Sequence, residues 1–118
     1  MNNKKSILVA DNELDIVESL ETMLLPYFQV DIATSGIDTL RLFTENKYDG
    51  LILDIDFGAG INGLEVATMI RQKDRKVKIL IFSAVEYSGE TRTAIEALNA
   101  QFIEKPINLS TILEYFNG

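Results

Sequence analysis

The stretch Leu51-Ile52-Leu53-Asp54 is apolar at three successive positions and then closes on a carboxylate. Ile7-Leu8-Val9-Ala10, followed by Asp11, and Ile79-Leu80-Ile81-Phe82, followed by Ser83, have the same form. Side chains alternate between the two faces of a strand, so a strand apolar at every position must be covered on both sides, as in a parallel sheet. Weaker apolar runs around Val30-Asp31-Ile32-Ala33 and Phe102-Ile103 bring the expected strands to five.

Helical spacing fills the intervals. From about Glu13 to Leu25, the residues Ile16, Leu20, Met23 and Leu24 repeat as one helix face does, and Pro26 closes the segment. Ser35-Gly36-Ile37-Asp38 reads as a capping box opening a helix that buries Ile37 and Leu40. A third helix carries Leu64, Ala67 and Ile70, and a fourth, poorly patterned, runs near Thr91 to Leu98. The last presents Leu109, Ile112, Leu113 and Phe116 behind Asn108 as N-cap. Strand and helix alternating five times predict a three-layer (βα)5 α/β fold. Right-handed crossovers leave the flavodoxin-like order 2-1-3-4-5 as the leading topology, in one domain over residues 1–118.

Composition narrows the chemistry. Lys plus Arg number 11 against 18 Asp plus Glu, a net charge of −7 that argues against direct nucleic-acid binding. The absence of Cys and His excludes disulfides, thiolate nucleophiles, the usual zinc sites and His-based catalysis. The opening Met1-Asn2-Asn3-Lys4-Lys5-Ser6 leads into an apolar run too short for a signal peptide or a membrane span. A soluble, cytoplasmic protein without membrane association is the expectation.

In an open parallel sheet, ligands bind beyond the carboxyl ends of the strands, where the strand order reverses. Asp11 and Asn12 follow the first strand, Asp54 closes the third, Ser83 the fourth and Lys105 the fifth. Each alone has an ordinary explanation as a turn residue, a cap or a solvated strand end. Together they deliver carboxylates, a hydroxyl and an ammonium to one edge. Two carboxylates brought close repel, so without a cation at least one pKa should rise. A hard divalent ion with oxygen ligands, Mg²⁺ or Mn²⁺, relieves that repulsion. One carboxylate can then attack phosphorus as a nucleophile, with Ser83 and Lys105 bonding the phosphoryl oxygens.

These residues resemble the response-regulator receiver domains of two-component signalling, the CheY-like superfamily. Ile7-Leu8-Val9-Ala10-Asp11-Asn12-Glu13 looks like the family's first strand and acidic loop, and Tyr48-Asp49-Gly50-Leu51-Ile52-Leu53-Asp54 like its phosphoacceptor strand. Ser83-Ala84 and Lys105-Pro106 match the later motifs, and the likeness spans essentially the whole chain. It implies that Asp54 accepts phosphate from a histidine kinase, a phosphotransfer protein or a small phosphodonor, and that no separate enzymatic turnover occurs. It further implies a metal held by Asp54, Asn12 and the backbone carbonyl of Asp56, with Asp11 helping through water. Ser83 would sense the phosphoryl group, Phe102 would be the switch aromatic, and the Lys105–Pro106 peptide would be cis. The output face, made by the fourth helix, fifth strand and fifth helix, would meet a downstream effector, a fused output domain or a second copy. The first helix and the loop at Pro106 would meet the kinase, with Leu14 and Pro106 as docking positions.

Three departures carry expectations. Asn12 stands where the family usually has a second directly ligating Asp. At about 4 Å and an effective dielectric of about 20 a full charge contributes about 4 kcal/mol gross, so weaker Mg²⁺ binding is expected unless Glu13 compensates. The loop Ile55-Asp56-Phe57-Gly58-Ala59-Gly60-Ile61-Asn62-Gly63 lacks the family's proline at Gly58 and is one residue longer, which could displace the Asp56 carbonyl. The stretch Leu98-Asn99-Ala100-Gln101 is one residue short.

Asn12 also favours an alternative, a pseudo-receiver that binds partners without phosphorylation. A haloacid-dehalogenase-like phosphatase would need an acidic motif after Lys105, where only Glu114 stands. A flavin carrier would need a first loop poor in acid, unlike Asp11-Asn12-Glu13-Leu14-Asp15. The cations Arg71, Lys73, Arg75, Lys76 and Lys78 read as a solvated helix end, and Glu13, Asp15, Glu18 and Glu21 as the wet face of the first helix.

Overall fold

A computed structural model describes residues 4–58, 60–84 and 89–117. The opening Met1-Asn2-Asn3, Ala59 of the glycine-rich loop and Gly118 lie outside the described residues. Five strands alternate with five helices: β1 (Ser6–Ala10), α1 (Leu14–Leu24), β2 (Gln29–Ala33), α2 (Gly36–Glu45), β3 (Gly50–Asp54), α3 (Gly63–Lys73), β4 (Lys78–Ser83), α4 (Gly89–Ala97), β5 (Gln101–Glu104) and α5 (Leu109–Asn117). All pairings are parallel, in the order β2-β1-β3-β4-β5. The fold is the expected three-layer flavodoxin-like one.

The apolar runs divide between two cores as strand alternation requires. Leu8, Ala10, Leu51, Leu53, Ile79 and Ile81 pack on one face with Val66, Ala67 and Ile70 of α3 and Ile95 of α4. Ile7, Val9, Ile52, Leu80 and Phe82 pack on the other with Val17, Leu20 and Leu24 of α1 and Ile112 and Phe116 of α5. Val17, absent from the predicted α1 stripe, is fully buried, whereas Ile16 and Met23 are only partly so. The single buried residue of α4, Ile95, accounts for its weak patterning.

The expectation for Ile37 was wrong. It is 67% exposed, and α2 buries Gly36 and Thr39 instead, with Leu40 and Phe43 partly covered. A Cβ at position 36 would collide with the Ile61 side chain, so the helix seats on its glycine and turns the next residue outward. The capping box at Ser35 is half formed. Its hydroxyl accepts from the Asp38 N–H at 3.1 Å, while the Asp38 carboxylate lies 3.6 Å from Arg41. The complete box opens α3, where the Asn62 side chain accepts from the Glu65 N–H at 2.9 Å and the Asn62 N–H donates to Glu65 at 3.1 Å. Asn108 caps α5 as expected, accepting from the Ser110 N–H at 2.8 Å.

The short α4–β5 connection closes cleanly. Asn99 adopts φ 54°, and the N–H groups of Asn99 and Ala100 donate to Glu96 and Ile95 in a Schellman-type turn.

Candidate functional site

The register of the sheet sets the site. Ala10 of β1 lies opposite Leu53 of β3, and Asp54 opposite Phe82 of β4, so Asp11 and Asp54 leave neighbouring strands at one level and Ser83 follows one step beyond on β4. Ser83 pairs with Glu104 of β5, which puts Lys105 one step beyond on the last strand. The Lys105 N–H donates to the Ser83 carbonyl at 3.0 Å, and the Lys105–Pro106 peptide is cis.

Asp11 is fully buried, and Asp54 and Ser83 are buried to within a few percent. The Lys105 ammonium lies 3.2 Å from Asp11 Oδ2 and 3.6 Å from Asp54 Oδ1, so it stands between the two carboxylates. The second Asp11 oxygen accepts from the Glu13 N–H at 2.9 Å, which fixes its direction. Phe82 places its ring under the ammonium, 4.9 Å from centroid to Nζ. Strand periodicity explains Phe82 as core, and only its position directly before Ser83 hints at a place in the site.

Burial and the neighbouring Asp11 charge push the Asp54 carboxyl up to about 6, against the opposing pull of Lys105. For Lys105, burial favours the neutral amine. The hydrogen bond to Asp11 and the charges of Asp54 and Asp11 outweigh it, so its pKa lies above the ordinary lysine value.

Asn12 is exposed at the mouth of the site, and its amide nitrogen lies within 3.4 Å of where a Cβ at Gly58 would sit. Gly58 has φ +77°, a left-handed conformation that glycine adopts without strain, and its N–H donates to the Asp56 carboxylate at 2.7 Å. The loop ends are joined. The Gly63 N–H donates to the Ile55 carbonyl at 2.7 Å, and a Cβ at Gly63 would overlap the Asp54 carbonyl oxygen. Phe102 on β5 is half-buried against the α3–α4 side of the core.

Asp11 and Asp54 bring two carboxylates to one ammonium, and carboxylate oxygens are the donors that a hard divalent cation takes. Among the described residues no three acidic, His or Cys side chains group together. Beside the site, Ile16, Leu20, Met23, Lys105, Pro106 and Ile107 line a largely apolar groove of about 640 Å³ between α1 and the segment before α5. Leu14, at the start of α1, is 54% exposed.

The basic cluster is only partly a solvated helix end. Arg71 is half-buried and donates to the carbonyls of Leu98 at 2.8 Å, Asp74 at 3.2 Å and Val77 at 2.7 Å. Lys78 donates to the Tyr115 carbonyl at 2.8 Å. The physical reason is topological: in a parallel sheet the helix C-termini, with their free carbonyls, collect at the edge opposite the site.

The chain is similar to known proteins in sequence and in fold. The transcriptional regulatory protein PrrA of Mycobacterium tuberculosis is 32% identical over 108 residues, 91% of this chain and 46% of its own. The response regulator MprA of Mycobacterium sp. (strain KMS) is 29% identical over the same shares of each. The chain thus spans about half the length of the curated relatives it matches. Among solved structures, the response regulator TrrA of Thermotoga maritima, in complex with Mg(2+)-BeF, is 35% identical with a TM-score of 0.81, covering 93% of this chain and 94% of its own. A CheY-like receiver domain protein of Methanospirillum hungatei JF-1 has a TM-score of 0.89 at 21% identity, covering 98% of this chain and 95% of its own, a likeness of fold. Residues 7–117 match the response regulator receiver domain, and the chain belongs to that family, the switch module of two-component systems.

Proposed function

We propose that Asp54 is the phosphoacceptor of this receiver and that Asp11, Asn12, Ser83 and Lys105 serve its reaction. The convergence of Asp11, Asp54 and Lys105, drawn from three strands, carries the reading. A carboxylate oxygen of Asp54 attacks the phosphorus of a phosphohistidine or a small acyl phosphate. The new P–O bond forms as the bond to the leaving imidazole or acid breaks. Lys105 then holds a phosphoryl oxygen, its bond to Asp11 keeping it in place, and Ser83 takes another. Asp54, Asn12 through its amide oxygen, Asp56 through its backbone carbonyl and Asp11 would hold Mg²⁺ or Mn²⁺. When bound, the ion offsets the negative charge of the carboxylates and of the incoming phosphoryl group.

Phosphorylation adds close to two negative charges at Asp54 and draws Ser83 and Lys105 toward them. Phe102 follows, and the α4-β5-α5 face changes its preference for a downstream effector, a fused output domain or a second copy. A histidine kinase or phosphotransfer protein docks over Leu14 and the apolar groove at Pro106. The chain acts as a switch on proteins rather than on nucleic acid or membrane, in the cytoplasm, as a single domain without separate enzymatic turnover. Among the described residues no helix is long and apolar enough to cross a membrane.

Acetyl phosphate with Mg²⁺ should label the parent protein and leave Asp54→Ala unlabelled, read by intact mass. Labelling that persists in the variant removes Asp54 from its role. Asn12 specifically favours a second reading, a phosphorylation-independent interaction domain. An absence of any beryllofluoride-induced NMR shift at millimolar Mg²⁺ would select it.

A further inference from the structure

At the edge of the sheet opposite Asp54, a second polar cleft of about 310 Å³ opens between the ends of α3 and α5 and the starts of β4 and β5. Arg71, Arg75, Lys76 and Lys78 line it, with Asn99 and Tyr115 beside them. Among the described residues no acidic side chain lines it. Asp74, at the end of α3, accepts from the N–H groups of Lys76 and Val77 at 2.8 and 3.0 Å. In a chain of net charge −7, four cations around one concavity are a local reversal of sign.

Part of this charge has a structural task. Arg71 and Lys78 donate to main-chain carbonyls, as described above. The task does not extend to Arg75 and Lys76, which are exposed and have no side-chain hydrogen bond or ion pair among the described residues. The Arg71 bonds engage Nε and Nη1, so three carbonyls fix this guanidinium in the lining of the cleft beside the two exposed cations. A fixed planar donor with movable point charges around it suits the tetrahedral oxygens of a phosphoryl group better than a single carboxylate. Low-dielectric walls concentrate the field of such a cluster.

We propose that this cleft binds a small phosphorylated anion, of pyrophosphate to nucleotide size, at a site separate from Asp54. Arg75 and Lys76 bring the anion in, and Arg71 orients it. The cleft is built by the β4 and β5 starts, so a bound anion braces the same two strands whose other ends carry Ser83 and Lys105.

The test is an amide NMR titration of the whole chain with inorganic pyrophosphate and, separately, ATP, without Mg²⁺ so that the Asp54 site takes up neither. Saturable shifts at Val77, Asn99 and Gln101 that weaken with salt are expected. The double variant Arg75→Glu/Lys76→Glu should lower the affinity by about tenfold or more. The far-UV circular dichroism and the amide spectrum away from the cleft should match those of the parent in that variant, which shows that it is folded. The proposal is overturned if neither anion gives saturable shifts at the cleft, or if the double variant binds like the parent. It is equally overturned if only an oligoglutamate peptide binds, which would make the cleft a protein-docking surface.

Discussion

The two edges of the sheet use charge in opposite ways. At the edge where helices end, Lys4 donates to the Leu25 carbonyl, Lys5 to that of Phe116, Lys78 to that of Tyr115, and Arg71 to three more. Each of these four cations meets a main-chain acceptor at or near a helix end. At the edge where helices begin, Asp11, Asp54 and Lys105 face one another, with two like charges against one. Charge matched to main chain holds the fold, whereas at the other edge two carboxylates share one ammonium. The same side-chain types therefore do different work according to the end of the strand on which they lie.

The comparison can be broken first at Arg71. Arg71→Ala removes donors to three carbonyls and should destabilise the protein by about 2–4 kcal/mol, with beryllofluoride shifts retained by the folded fraction. Urea unfolding checks it, and a neutral result would mean that these bonds are replaced by water at no cost.

The opposite sign is expected at Asp54. Its native carboxyl, raised from 3.8 to about 6, holds a proton more tightly than the unfolded chain does. Its contribution is thus most favourable below about 3.8 and is lost as pH climbs through about 6, a swing of up to about 3 kcal/mol. Asp54→Asn should therefore stabilise the metal-free protein near neutral pH, and the gain should shrink toward zero below about pH 4. Metal should compete with the same proton, so Mg²⁺ affinity should fall as pH drops below about 6.

Asn12→Asp sharpens the contrast by adding a carboxylate to the site edge. It should tighten Mg²⁺ about tenfold, read by fluorescence or NMR titration, and lower metal-free stability slightly. An unchanged titration would place Asn12 away from the ion. The smallest effect belongs to Lys5→Met, which removes one cation from the end of α5 and should lose about 0.5–1 kcal/mol, less at high salt.

The fold was legible because three strands carry unbroken apolar runs, a pattern that two-sided burial explains. The site was legible through the same strands, since each hands its next residue to one edge. Boundary detail was not, because it depends on neighbours distant in sequence. Ile37 looks buried until Ile61 is seen to occupy the space beside Gly36. Arg71 and Lys78 look solvated until the carbonyls of Leu98 and Tyr115 arrive from other helices. The capping box Asn62-Gly63-Leu64-Glu65 was readable in principle, but Asn in place of Ser or Thr made it less conspicuous than the run at Ser35.

Gly63 leaves a consequence for how this protein can vary. With its amide bonded to Ile55 and its α-carbon against the Asp54 carbonyl, the chain between them is a sealed bight whose neck does not depend on its circumference. A peptide spliced in between these two fixed ends is expected to leave the Asp54 main chain and the start of α3 in place, which makes the loop a natural site for a reporter insertion.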